Sequence, residues 1–175
     1  MKRRLFLMAT VVAALPSLVL AEDPTKLNVA LTTALAAAPA EVWSVIGDFQ
    51  DMSWHPAIHA TTGSGGNEVA ATRQLVLGAK GGPTIDEVLD TYDAESMSYG
   101  YRITDVKMEV LPVADYASQI TVTPRDEGGS IVEWRGTFHR GNPDALNDAA
   151  AIGAIEGVYQ AGLDALTARF GAPES

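Results

Sequence analysis

The feature that most restricts this chain is a change of hydrophobic period near its end. Six short β-prone segments follow one another at His59–Gly63, Ala70–Leu77, Thr84–Tyr92, Ser96–Thr104, Tyr116–Thr123 and Ser130–His139. Turn chemistry separates them: GSGGNE at 63–68, GAKGGP at 78–83, DAES at 93–96 and RDEGG at 125–129. The pattern then switches to one apolar residue every three or four, at Ile152, Ile155, Tyr159, Leu163, Leu166 and Phe170. That spacing predicts one buried stripe on a long helix, with Asn142 as cap and Pro143 opening it. Consecutive antiparallel strands must bury one face, and this helix is the one large apolar object available to cover it. The chain is expected to be an α+β protein whose antiparallel sheet wraps around its last helix.

The start of the chain completes the count. The run LNVALTTAL at Leu27–Leu35 reads as a first strand, which makes seven. Two short helices are expected after it. Pro39–Gly47 carries proline where a first turn tolerates it, and Val42, Trp43, Ile46 and Phe49 recur at helical spacing. Asp51–Ile58 is a second short helix or turn, limited by Pro56. The late helix also holds Gly153, Gly157 and Gly162, each costing roughly 1 kcal/mol against alanine. Such small residues allow either a close approach of helix to sheet or room for a cavity.

Ahead of the domain, Lys2, Arg3 and Arg4 precede the apolar stretch Leu5–Leu15, and Val19-Leu20-Ala21 supplies small residues for cleavage. This predicts a signal peptide over 1–21 and a mature domain over 22–175, exported to the periplasm by the general or the twin-arginine route. The mature chain would keep nine basic residues against 22 acidic ones. Such a surface repels nucleic acid and anionic lipid, so neither is expected as a partner, and no membrane association should follow cleavage. With no cysteine, the fold has neither disulfides nor thiol chemistry and must rest on its apolar core.

Several stretches resemble the START, Bet v 1 and polyketide-cyclase superfamily, known as SRPBCC, whose helix-grip fold has this order of elements. They are PAEVWSVIGDFQDMSWHPAI at 39–58, VAATRQLVLGAKGGPTIDEVLD at 69–90, LPVADYASQITVTP at 111–124, GSIVEWRGTFHRG at 129–141 and AIEGVYQAGLDAL at 154–166. Trp54-His55-Pro56-Ala57-Ile58 and the Leu111–Tyr116 stretch, together with a signal peptide, are similar to the periplasmic MxaD type. That resemblance implies a non-enzymatic accessory or binding protein with an internal hydrophobic cavity. It would support methanol oxidation through methanol dehydrogenase or its cytochrome c. The alternatives are a carrier or sensor of a small hydrophobic ligand, or an enzyme of the cyclase or dehydratase kind. A fold by itself decides none of these.

Alternation along the strands nominates the inward side chains. Arg73 shares a face with Leu75 and Leu77, and Glu87 with Ile85 and Leu89. Two opposite charges on adjacent apolar faces need each other, as a structural ion pair or as a polar anchor in a cavity. Plant abscisic-acid receptors of the superfamily have patterns similar to Thr72-Arg73 and Glu87-x-Leu89 beside their hormone pocket. His59 matches a ligand-contacting position in them. Tyr99, Tyr101, Tyr116, Trp134 and Tyr159 are the aromatics expected inside, and Trp54, His55, Leu75 and Leu111 complete the candidate ligand-binding set.

His55 and His59 stand four apart, but Pro56 lies between them and no third ligand is near, so no metal is expected. No nucleophile motif or phosphate loop is visible, and neither a catalytic residue nor a cofactor is expected. The loops at 78–84 and 105–115 are expected to flank one end of the barrel. The second would display Met108, Leu111 and Val113 as a pocket gate or as a docking rim for a redox partner.

Overall fold

The computed structural model describes residues 25–141 and 147–174, so the expected signal peptide at 1–21 and the expected cap at Asn142 and Pro143 lie outside the described residues. Seven strands form one antiparallel sheet: β1 (Leu27–Leu35), β2 (Ile58–Ser64), β3 (Thr72–Leu77), β4 (Thr84–Asp93), β5 (Ser98–Val106), β6 (Val113–Pro124) and β7 (Ser130–Arg140). Their order across the sheet is β1-β7-β6-β5-β4-β3-β2. Neighbours in sequence are therefore neighbours in space, except that β1 waits for β7. The first helix, α1, spans Pro39–Ile46 and the last, α2, spans Asp148–Phe170. The fold is the expected helix-grip α+β architecture.

Helix α2 buries Ala151, Ile155, Tyr159, Gly162, Leu163 and Leu166 against the concave face of the sheet. The stripe ends on β1, where the Thr33 and Thr167 hydroxyls meet at 2.9 Å and Ala36 N–H donates to the Gly171 carbonyl at 3.0 Å. The glycine question has a split answer. A Cβ on Gly162 would collide with His55, Trp134 and Trp54, so this glycine permits a close approach. Gly153 and Gly157 face open space.

Two expectations about the helices are corrected. Residues 51–57 hold no helix. They form successive turns closed by Asp51 N–H to Asp48 O, His55 N–H to Met52 O and Ile58 N–H to His55 O. Pro56 has no N–H to continue a helical ladder there, so one short helix follows β1 rather than two. The last helix is capped by Asn147, whose side chain accepts from Ala150 N–H at 2.9 Å, five residues beyond the expected cap.

Candidate functional site

Arg73 and Glu87 face one another directly across the β3–β4 ladder, and alternation sends both inward. Arg73 Nε donates to Glu87 Oε2 at 2.6 Å, and Nη1 donates to the Phe49 carbonyl at 2.8 Å. The guanidinium lies 4.2 Å from the centre of the Phe49 ring and 5.0 Å from that of Tyr101, where the ring faces favour its charge. Its third nitrogen, Nη2, is buried and has no hydrogen-bond partner. Burial pushes the Glu87 carboxyl above its ordinary range, against the pull of the Arg73 charge and hydrogen bond. Burial also opposes the Arg73 charge but is outweighed by Glu87, so the guanidinium stays protonated.

Beside this pair lies a cavity of about 100 Å³. Its wall is mostly apolar: Ile58, Leu75, Leu77, Ile85 and Ile103 from the sheet, Met52 and Ala57 from the turn segment, and Ile155 and Val158 from α2. The polar residues in the wall are His55, Arg73, Glu87, Tyr101, Tyr116 and Trp134. Val110 and Leu111 close it from the 105–113 connection.

This connection corrects the expected exposed rim. Met108 is exposed, but Leu111 and Val113 are buried at 7% and 2% exposure. A turn bonded from Lys107 O to Val110 and Leu111 N–H folds the segment back, and Gly141 N–H donates to Pro112 O at 2.9 Å. Asp115, at φ 50°, then interrupts the β6–β7 register between Ala114 and Ala117. The segment is a lid packed inward. None of residues 78–84 lines the cavity.

Of the twelve expected site residues, eight line the cavity: His55, Arg73, Leu75, Glu87, Tyr101, Leu111, Tyr116 and Trp134. His59 does not. Ile58 pairs with Leu77 and Ala60 with Val76, so His59 is the extra residue of a bulge, and it is exposed. Tyr99 is fully buried away from the cavity, among Trp43, Phe49, Tyr92 and Tyr101. Trp54 packs on His55 and Trp134. Tyr159 stacks on Trp134 with ring centres 4.4 Å apart. Sequence reasoning missed Met52, Val110, Ile155 and Val158 as wall. Ile155 was legible as part of the helical stripe, while the other three sit outside any strand period.

His55 is held at both ring nitrogens. Nε2 lies 3.0 Å from the Val158 carbonyl, which can only accept, so Nε2 carries the proton. Nδ1 then accepts from Ala57 N–H at 3.2 Å. Burial lowers its pKa, the Arg73 charge lowers it further, and the bond to Val158 opposes them. The neutral ring is the one this site fits. Among the described residues, no group of three His, Cys, Asp or Glu could hold a metal ion. No helix among them is long and apolar enough to cross a membrane.

A seven-stranded sheet gripping its last helix, with a lidded cavity between them, defines a helix-grip protein with a small interior chamber. The chain belongs to the family described as polyketide cyclase / dehydrase and lipid transport, which it matches over residues 26–171. It is similar to the solved structure of XoxI from Bacillus cereus, at 31% identity over 82% of this chain and 94% of that one, with a TM-score of 0.71. It is also similar to an uncharacterised protein from Bacillus thuringiensis, at 30% identity over 83% and 98% of the two chains, with a TM-score of 0.69. A protein from Nitrosospira multiformis shares the fold at 24% identity over 82% and 95%, with a TM-score of 0.68. No curated protein matches the chain.

Proposed function

We propose that this chain is a non-enzymatic binding protein that holds one small, largely apolar ligand beneath the 105–113 lid. The observation that carries the reading is an apolar chamber whose wall includes a Tyr101 hydroxyl that accepts from Trp134 but has no acceptor of its own among the described residues. An unmatched buried donor costs about 1–3 kcal/mol, and a ligand acceptor would relieve it. The volume sets the scale. Drug-sized ligands occupy pockets of about 300–1,000 Å³, whereas a dry cavity of about 150 Å³ takes benzene. The residue types suit binding more than catalysis, because His55 has no free lone pair and Arg73 already holds one oxygen of Glu87.

The test is a native mass spectrum of the freshly purified protein, with a benzene titration read by thermal melting. A one-to-one complex with a small compound, or a rise in melting temperature with benzene, is expected. Leu111→Phe should abolish either effect while the domain stays folded, since the larger ring fills the chamber. If the protein carries nothing and benzene leaves its melting unchanged, the binding reading is wrong.

A second reading is supported by the stretches at 54–58 and 111–116 and by the acidic composition. In it the protein is exported to the periplasm and assists methanol dehydrogenase or its cytochrome c. With Leu111 and Val113 turned inward, the contact would fall on Met108 and the surrounding charge. Binding to either redox protein at low salt that weakens as salt rises would favour this role. No binding at low salt would remove it.

A further inference from the structure

The hydroxyls around the chamber form a chain in which each proton can be placed. Ser118 Oγ donates to the Arg135 carbonyl at 2.9 Å, and that carbonyl can only accept. The Ser118 proton is therefore committed. Tyr159 stands 2.9 Å from Ser118 Oγ and must be the donor in that contact. Tyr116 stands 2.7 Å from Tyr159, whose proton is now used, so Tyr116 donates in turn. Trp134 Nε1–H is shared between Ser118 Oγ at 3.0 Å and the Tyr101 oxygen at 3.1 Å. Burial raises the pKa of Tyr101 and Tyr116 well above the ordinary value and that of Tyr159 to about 12, so all three phenols keep their protons.

The chain ends unevenly at the cavity. Tyr101 accepts from Trp134, and its own O–H has no acceptor among the described residues. Tyr116 has given its proton away and presents only oxygen lone pairs. Arg73 also lines the chamber, but its guanidinium is engaged with Glu87, the Phe49 carbonyl and the rings of Phe49 and Tyr101. A ligand thus meets a free donor at Tyr101. The Arg73 charge is already matched by Glu87, so a carboxylate would bring an unbalanced second anion into a buried site.

We infer that the chamber selects a compact, uncharged carbonyl compound, about the size of a five- or six-membered ring, with its oxygen toward the Tyr101 hydroxyl. This rests on the binding reading and adds the chemical class of the ligand. The ring would lie against Leu75, Ile85, Ile103 and Ile155.

Three probes of similar size separate the terms: cyclopentanone, methylenecyclopentane (the same shape without the oxygen) and cyclobutanecarboxylate. Each is titrated into the purified protein and followed by tryptophan fluorescence, with Trp134 in the cavity wall. Cyclopentanone should bind about tenfold or more tightly than either of the others. Tyr101→Phe should remove about tenfold of the ketone affinity and leave the hydrocarbon unchanged. That variant does not orphan Trp134, whose N–H keeps Ser118 Oγ. Tyr116→Phe should change ketone binding by less than about threefold, because a ketone has no proton to offer its oxygen. Equal binding of ketone and hydrocarbon, or preference for the carboxylate, overturns the carbonyl assignment while the binding reading stands. If none of the three binds, the carbonyl assignment falls, and the benzene titration decides whether the binding reading falls with it.

Discussion

The two ends of the interior are built from the same sheet and the same helix, yet one is solid and the other hollow. At the solid end, α1 sets Val42 and Ile46 against Phe49 and Tyr99, all fully buried, and Leu163 and Leu166 of α2 close the layer at 1% exposure. At the hollow end, Leu77, Ile103 and Val110 are only half-buried, and the wall of α2 is Ile155 and Val158. Rings occur at both ends. At the second, the aliphatic wall and the rings of Tyr101, Tyr116 and Trp134 stop short of one another and leave the chamber. Arg73 marks the boundary, lying over Phe49 and Tyr101 and also lining the chamber. The contrast teaches that the hollow is a local property, since the sheet and α2 run through both ends.

The strongest attack on this contrast is at the boundary. Arg73→Ala should cost about 3–5 kcal/mol in chemical denaturation, because it leaves the Glu87 carboxylate buried without its partner. Adding Glu87→Leu should restore most of the loss. If the double variant is as unstable as the single one, the guanidinium acts by filling space rather than by matching charge.

A smaller effect compares equal deletions at the two ends. Leu163→Ala, in the solid end, should cost about 3 kcal/mol through lost burial and a new void. Leu77→Ala, at the half-buried chamber wall, should cost about 1 kcal/mol. Equal losses would mean that the hollow end is as tightly packed as the other.

The smallest effect is a pH slope. His55 is neutral when folded, with its pKa lowered by burial, whereas the unfolded chain takes up the proton near its ordinary value of 6.5. Its contribution is therefore present above pH 6.5 and is lost as pH falls toward the folded pKa. Glu87 works in the other sense. Its raised pKa favours the fold below its ordinary value of 4.5, and that contribution is lost as pH rises through the folded pKa. Melting temperature should fall on acidification below pH 6.5, and His55→Gln should flatten that part of the curve. An unchanged slope in His55→Gln would place the proton uptake elsewhere.

Much of this molecule was legible because strands enforce a period of two. The bounds of Leu27–Leu35 and the inward sides of Arg73, Glu87, Tyr101 and Trp134 all follow from alternation. The misses lie where alternation was no guide. His59 was nominated by resemblance, and one extra residue there turns its ring outward. Leu111 and Val113 were read as part of an exposed loop, yet they pack inward just ahead of the irregular register at Asp115. The lid carries no period, so only the fold reveals that its apolar residues belong to the interior. Tyr99 was placed correctly inside but at the wrong end, because alternation gives the face of a sheet and says nothing of position along it.

The order of the strands bears on how the chain comes to be folded. β1 hydrogen-bonds in the sheet only to β7, whose first residue, Ser130, lies 95 positions after Leu35 at the end of β1. A ribosome making this chain releases Leu27, Val29 and Leu35 long before the strand that pairs with them exists, and α2, which packs on β1, comes later still. Such distant pairing closes a long loop before it gains any contact, which makes assembly slow and late. β1 is thus born without its partner strand. A nascent chain halted before residue 130 should remain open to proteases along its whole β1 segment.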